Sequence, residues 1–158
     1  MNIIQPPPLA APYASSLPDH RERFILLASS AICFLVACCL PALRFHDVNG
    51  MEENWRGGTV LLLGWMGALV GQFAWFANLF LFGSWASIGF RWRPGGMIFA
   101  VLALLIASHS FALFGQSVPA DEGGVNKLLL VRLLPGFYFW VLSIALSALG
   151  GVLCRGRT

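Results

Sequence analysis

The sequence predicts an all-α protein, an integral membrane four-helix bundle with both termini in the cytoplasm and short acidic outer loops. Three observations lead to this fold class. First, 58% of the residues are hydrophobic and only 11% are charged, whereas a soluble domain carries about 25% charged residues. Second, four apolar stretches approach the length of about 20 residues that spans a bilayer as a helix. Third, the basic residues favour one side of those stretches.

The four apolar stretches are the predicted transmembrane helices, and none of them contains Asp, Glu, Lys or Arg. They cover residues 24–43, 59–82, 97–114 and 136–153. A helix is the natural form for them because it satisfies its own backbone hydrogen bonds, as the hydrocarbon core requires. We expect one membrane domain over residues 21–158 and a flexible, Pro-rich cytoplasmic tail over residues 1–20.

The orientation follows from the distribution of the ten basic residues. One side of the predicted bundle carries six arginines: Arg21, Arg23, Arg91, Arg93, Arg155 and Arg157. The other side carries the remaining four basic residues together with five of the seven acids. The positive-inside rule then places the arginine-rich side, and with it both termini, in the cytoplasm. We therefore expect a multi-pass protein of the inner (cytoplasmic) membrane of a bacterial-type cell.

The first helix has an alternative interpretation. Residues 35–38, "LVAC", resemble the cleavage site of a bacterial lipoprotein, in which Cys38 would become the lipidated first residue. The polar stretch before this apolar run is unusually long for such a signal. We therefore expect an uncleaved, signal-like anchor, and the next loop faces outward in either case.

Small residues recur at helical spacing in three of the four predicted helices. Such residues let two helix backbones approach closely in a membrane. The set comprises Gly64, Gly67, Gly71, Ala103, Ala107, Ser143, Ser147 and Gly151. Contacts within the bundle and contacts between identical subunits would use the same faces, so the spacing leaves both alternatives open. In the second helix, the polar residues Gln72 and Asn78 predict interhelical hydrogen bonds.

Two histidines are candidate cofactor ligands near the outer surface. His46 follows the first predicted helix, and His109 lies close to the outer end of the third. Two imidazoles at similar depth could ligate a haem iron axially, or hold a quinone, but their spacing does not show that they meet. The alternative is that His109 forms a hydrogen bond within the bundle and that His46 lies in solvent.

Five carboxylates gather in the two outer loops: Asp47, Glu52, Glu53, Asp121 and Glu122. Acidic residues near a helix N-terminus stabilise its positive end, and these acids can also pair with basic residues in the same loops. We expect that structural role for them. The alternative is an acidic outer cap that binds a divalent metal through oxygen ligands, or that recognises a partner.

The sequence also disfavours several classes of function. No carboxylate or cation lies inside a predicted span, which disfavours proton-coupled transport. No nucleotide-binding or catalytic motif supports an enzyme, and membrane orientation explains the net charge of +3 without nucleic-acid binding.

We expect a non-catalytic accessory or scaffold subunit of a membrane assembly, or a homo-oligomer. Its partners would be the lipid bilayer and other membrane subunits or copies of itself, with no cofactor favoured. One alternative is a haem- or quinone-binding redox subunit that uses His109 and His46. Another is an oligomeric pore or membrane-disrupting effector.

Overall fold

The computed structural model describes residues 20–47, 50–90, 92–119 and 127–155. Within these residues the chain forms five α-helices, four β-strands and three 3-10 helices. The α-helices are α1 (His20–Cys39), α2 (Gly57–Leu63), α3 (Ala77–Gly89), α4 (Arg93–Ala107) and α5 (Pro135–Arg155). The strands are β1 (Pro41–Asp47), β2 (Glu52–Arg56), β3 (Ser117–Pro119) and β4 (Lys127–Leu133). The 3-10 helices are Gly64–Val70, Ala74–Phe76 and Ser108–Gly115.

The protein is mostly helical, and three of its helical segments are long and apolar enough to cross a membrane. These segments are Arg21–Cys39, Pro94–Gly115 and Pro135–Val152. The stretch Gly57–Val70 is also apolar, but it is shorter. The prediction of a mostly helical chain with membrane-length apolar segments is thus confirmed, for three segments in place of four. The third and fourth predicted helices overlap α4 and α5, whereas the first two need correction.

The prediction of an all-α fold is wrong, because the chain also forms one antiparallel sheet. Its strands come from the connection between α1 and α2 and from the connection between α4 and α5. The strand order is β2-β1-β4-β3. The inner strand β1 pairs with its chain neighbour β2 and also with β4, which comes from the distant connection before α5. Phe45, for example, lies opposite Glu53 on one side and Leu130 on the other. The sheet therefore ties the end of α1 to the start of α5.

The first helix is shorter at its end than predicted. It was expected to reach residue 43, but α1 ends at Cys39. Pro41 cannot donate a backbone hydrogen bond and disfavours the helical conformation in the residue before it. Beyond it, Leu43 and Phe45 are buried while Arg44 between them is only half-buried, which is the alternation of a strand. Because these residues are largely apolar, hydropathy extended the predicted helix too far.

The predicted second helix, residues 59–82, is broken in its middle. α2 ends at Leu63 and α3 begins only at Ala77, with two 3-10 helices between them. Gly71 lies between those 3-10 helices with φ of +78°. Glycine adopts this left-handed conformation at little cost because it has no Cβ. Residues 57–89 therefore consist of two helical pieces joined by a turn.

The three glycines whose spacing predicts a helix-packing face lie in the first 3-10 helix and at its end. Gly67 accepts a hydrogen bond through its carbonyl from the amide of Gln72 at 2.8 Å, which closes the turn. A Cβ at Gly64 would lie 2.6 Å from Cδ1 of Trp75, so this glycine makes room for an indole ring. A Cβ at Gly71 would meet nothing within 4 Å. The contacts of these glycines within the described residues are local to residues 64–75, and their predicted packing face stays a prediction.

The helices pack around α5, which contacts α1, α3 and α4. Ala103 and Ala107 of α4 are buried in a core with Leu81 and Ile144. Gly151 of α5 lies against the α4 backbone. These small residues bring α4 close to its neighbours within the same chain.

Buried serines connect α5 to two other helices. Ser30 of α1 donates a hydrogen bond to the carbonyl of Ser143 at 2.7 Å, and the indole of Trp85 donates to Ser30 at 2.9 Å. The hydroxyls of Ser84 and Ser147 are 2.7 Å apart. All four serines are at most 1% exposed. Their hydroxyls therefore act as interhelical hydrogen-bonding groups in an apolar interior.

Candidate functional site

A cavity of about 530 Å³ lies where the helices meet the sheet. We call it the sheet-end cavity. Its walls include Phe34 and Cys38 of α1, Phe45 of β1, Val60 of α2 and Phe137 of α5. Its volume falls within the range of about 300–1,000 Å³ that is typical of small-molecule pockets, and such pockets are likewise mostly apolar. It is therefore the candidate ligand site of the protein.

Residues 57–76, which run from α2 to the second 3-10 helix, form one wall of the sheet-end cavity. No residue of α2 or of the 3-10 helix that follows it is buried, so this stretch does not pack flat on the bundle. Leu62 and Trp65 are 73% and 53% exposed on its outer side. Leu61 and Trp75 instead line the cavity. The cavity therefore lies behind this stretch, on the side away from Leu62 and Trp65.

The polar side chains in the lining carry no formal charge. Apart from indole and thiol groups, they are Gln72, Asn78 and Ser110, and all three are buried. No Asp, Glu, Lys, Arg or His among the described residues lines the cavity. The site can therefore offer hydrogen bonds to a ligand, but it offers no ion pair.

Asn78 holds two tryptophans of the wall in place. Its side-chain oxygen accepts a hydrogen bond from the Trp140 indole at 2.8 Å, and its amide nitrogen donates to the Trp75 carbonyl at 2.9 Å. The Trp75 indole in turn donates to the Leu61 carbonyl at 2.7 Å. Both indole N–H groups are therefore satisfied by the protein itself, and these bonds keep the wall rigid.

Gln72 is held by the predicted ligand residue His109. Nδ1 of His109 lies 2.7 Å from Oε1 of Gln72, and the Ala74 amide donates to the same oxygen at 3.2 Å. Because that oxygen accepts both bonds, Nδ1 carries the imidazole proton. The Phe73 amide lies 3.4 Å from Nδ1 and would need it as an acceptor, but the shorter bond decides the tautomer. The amide nitrogen of Gln72 has only a 3.5 Å contact with Gln116.

His46, the other predicted cofactor ligand, is engaged on the sheet. Its Nε2 lies 3.1 Å from Oε1 of Glu52, and Arg44 pairs with the other carboxylate oxygen at 3.2 Å. Arg44 also donates to Asn54 at 3.0 Å. His46 and His109 are therefore held by different partners, and the structure does not present them as paired axial ligands of a haem.

The predicted metal ligands are not assembled into a site in the part of the chain that the structure describes. Glu53 is exposed on β2, and Asp47 ends β1. Asp121 and Glu122 lie outside the described residues. Within the described ranges, no group of three or more His, Cys, Asp or Glu residues could hold a metal ion.

The neighbours of Glu52 on the sheet lower the pKa of its carboxyl group. The hydrogen bond from His46, and then the positive charge of Arg44, lower the pKa of Glu52 below its ordinary value of 4.5. A lowered pKa in the folded state stabilises the protein above the unfolded pKa, and this stabilisation is lost as the pH falls through the folded pKa. The effect is small because the side chain is fully exposed.

We therefore expect wild type to have a slightly higher Tm than Glu52→Gln at pH 7, and the difference to vanish in acid below the lowered pKa of Glu52. Thermal unfolding of both proteins at several pH values from about 3 to about 7 measures this Tm difference. Both limits lie about one unit or more from the ordinary pKa of a carboxyl group. Glu53→Gln, on the same exposed strand, is the matched control. A Tm difference that persists unchanged in acid would contradict the pairing of Glu52 with His46 and Arg44.

Sequence reasoning missed the cavity and several of its residues. It assigned Gln72 and Asn78 to interhelical hydrogen bonds, and it did not single out Trp75 or Ser110. The local signal is the pair Gly71–Gln72, in which a glycine capable of positive φ precedes a polar residue in the middle of an apolar stretch.

Comparison with known proteins finds no matching family model, curated protein or solved structure. The function of the protein must therefore be inferred from its own cavity and polar groups.

Proposed function

We propose that the protein is a multi-pass membrane protein that acts as a non-catalytic binding subunit for a lipid-like molecule. The observation that carries the proposal is the sheet-end cavity, which is mostly apolar and uncharged and lies at the end of the apolar helices. A hydrocarbon tail would be buried against its walls. Burial of apolar surface contributes about 25 cal/mol per Å², so a cavity of this size favours such a tail.

The exposed surfaces of the helices support a location in the bilayer. Phe24, Ile32 and Leu105 are 71%, 60% and 64% exposed. Large apolar patches of this kind are disfavoured in water, whereas acyl chains would cover them. With residues 57–89 as a fourth crossing, the distribution of arginines supports an orientation with both termini in the cytoplasm and the sheet outside. In this proposal the protein lies in a bacterial-type inner membrane.

The position of residues 57–76 supports a ligand that comes from the membrane. This stretch exposes Leu62 and Trp65 on one side and lines the sheet-end cavity with Leu61 and Trp75 on the other. A single apolar wall would therefore separate the ligand from the surrounding acyl chains. Such a wall suits a molecule that is already dissolved in the bilayer better than one that arrives from water.

A binding role is favoured over catalysis because of the chemistry of the lining. General acid–base catalysis uses groups such as imidazole or carboxylate within hydrogen-bond reach of the reacting atoms, and the described lining has neither. We propose that the protein works beside other membrane subunits or copies of itself. A bound quinone would belong to the same lipid-like class, whereas the separate engagement of His46 and His109 gives no support to haem.

Native mass spectrometry of the full-length protein, extracted gently from its host membrane, tests this proposal. We expect one retained adduct with the mass of a lipid-like molecule. Val60→Trp places a large side chain in the sheet-end cavity, and we expect the retained fraction to fall about tenfold, which corresponds to ~1.4 kcal/mol. Leu62→Trp is the matched control, because Leu62 lies on the same helix but is 73% exposed outside the lining.

Two results would contradict the proposal. One is the absence of any retained adduct from wild type under the mildest extraction. The other is an equal adduct on wild type, Val60→Trp and Leu62→Trp, since annular lipid would explain it. Thermal unfolding of both variants shows whether each is folded, and Val60→Phe provides a smaller step if Val60→Trp is not.

A further inference from the structure

We infer that the molecule in the sheet-end cavity has an uncharged head group that accepts hydrogen bonds, and that Ser110 and Gln72 recognise this head. The inference rests on the proposed function and deepens it by naming the class of ligand. That class is a single-tailed amphiphile whose head presents a carbonyl oxygen, as in an acyl amide, an acyl ester or an isoprenoid quinone.

The absence of charge in the described lining selects an uncharged head. A phosphate, carboxylate or ammonium group would leave water and find no counter-charge among the described lining residues. Burying an unpaired ion in a medium of low dielectric constant is strongly unfavourable. A carbonyl group, by contrast, loses only the hydrogen bonds that protein donors can replace.

Ser110 is the first of two donors available to such a head. Its side chain lines the sheet-end cavity and is 4% exposed. Within the described part of the chain no hydrogen bond engages its hydroxyl. Ser108, two residues earlier, is instead exposed and donates to the Leu105 carbonyl at 2.6 Å. The hydroxyl oxygen of Ser110 is not among the buried polar atoms left without a partner, so the hydroxyl keeps accessible surface, and in this proposal it donates to a ligand oxygen in the cavity.

Gln72 is the second donor, and its orientation determines what it can recognise. Its carbonyl oxygen already accepts bonds from His109 and Ala74, so it has little capacity to bind a ligand donor. Its amide nitrogen, with only the 3.5 Å contact to Gln116, retains donor capacity. A ligand at this position must therefore accept a hydrogen bond. His109 acts as a positioning residue, because it fixes the amide without lining the cavity.

The two donors belong to the same cavity and are linked through His109. Ser110 directly follows His109, and His109 bonds to Gln72 at 2.7 Å. Both Ser110 and Gln72 line the same cavity. One carbonyl oxygen can accept two hydrogen bonds, and in this proposal one head group engages both residues while its tail fills the apolar remainder.

Matched probes on the purified, lipid-depleted full-length protein test the inference. Oleamide has a neutral amide head, and oleate at pH 9 has a similar tail but an ionised head, since a carboxyl group ordinarily has a pKa near ~4.3. Decylubiquinone presents a neutral carbonyl head on a different tail, and 1-octadecene presents a tail alone. Ligand-dependent stabilisation against thermal unfolding reports each affinity. We expect both neutral-headed probes to bind at least about tenfold more tightly than oleate.

Paired serine variants assign the recognition to Ser110. Ser110→Ala is expected to weaken oleamide binding about tenfold, as loss of one hydrogen bond does, and to leave octadecene binding unchanged. Ser108→Ala should change neither affinity. Ser110→Thr keeps a hydroxyl and should retain oleamide binding, which provides a second variant if Ser110→Ala does not fold.

The outcomes separate this inference from the proposed function. If neither octadecene nor the headed probes bind, the proposed function itself fails. If octadecene binds but oleate binds as tightly as oleamide, or if Ser110→Ala leaves oleamide binding unchanged, only the inference about the head is overturned. Tighter binding of oleamide than of decylubiquinone, or the reverse, supports the inference and shows whether the ligand is acyl or isoprenoid.

Discussion

Replacement of Gly151 by alanine is expected to destabilise the protein by about 1–3 kcal/mol, the usual range for overpacking. A Cβ at this position would lie 2.7 Å from the backbone nitrogen of Met97 and 2.8 Å from its Cα. Both atoms belong to the α4 backbone, so α4 and α5 would have to separate. Their separation would loosen the interior around Ser147 as well, because α5 carries both residues.

Gly150→Ala is the matched control for this prediction. The nearest atom to its added Cβ is Cδ1 of Ile88 at 3.5 Å, which is an ordinary contact. Alanine is more favourable than glycine inside a helix by about 0.5–1 kcal/mol, so this variant should be as stable as wild type or more stable. Thermal and denaturant unfolding of the three proteins in the same detergent measures the difference. Equal stability of the two variants would contradict the close approach of α4 and α5.

Asn78→Leu is expected to cost about 1–3 kcal/mol, because it leaves a half-buried donor without its acceptor. The Trp140 indole N–H donates to Asn78 at 2.8 Å in the cavity wall. Leucine has the same number and branching of side-chain heavy atoms as asparagine but accepts no hydrogen bond. The variant should therefore lower the free energy of unfolding and also loosen the wall of the sheet-end cavity.

A double-mutant cycle with Trp140→Phe isolates this hydrogen bond. Removing both partners leaves neither end of this bond unsatisfied, and the Trp75 carbonyl loses the Asn78 donor in the single and the double variant alike. Asn78→Leu combined with Trp140→Phe should therefore cost less than the sum of the two single changes. The free energies of unfolding of the four proteins give the coupling. If the two single effects simply add, the bond between Asn78 and Trp140 contributes nothing to stability.

Much of the helical framework was predictable from local sequence. Long uncharged apolar runs predict α1, α4 and α5, because burial in hydrocarbon and internal backbone hydrogen bonding both favour a helix there. The four-residue spacing of Ser143 and Ser147 likewise predicts that they share one face of α5. The structure adds the partners, since those hydroxyls meet Ser30 and Ser84 of other helices.

The hydrogen-bond partners of the two histidines could not be predicted from the sequence. His109 forms a hydrogen bond within the protein, which is the alternative that the sequence left open. His46 instead pairs with Glu52 across two strands, and no helical pattern predicts that contact. The role of Gln72 depends on His109, which is far away in the chain. A periodicity in the sequence cannot show which of two distant polar residues will meet.

The sequence by itself determined that this protein is mostly helical, rich in uncharged apolar segments and suited to a membrane. These properties depend on composition and on residues within one or two helical turns of each other. The tertiary structure alone decided that β1 pairs with β4, that the predicted second helix breaks at Gly71, and that a cavity lies behind residues 57–76. Strand pairing requires a partner far along the chain, and a cavity depends on how several elements pack together. Neither is encoded in any single stretch of residues.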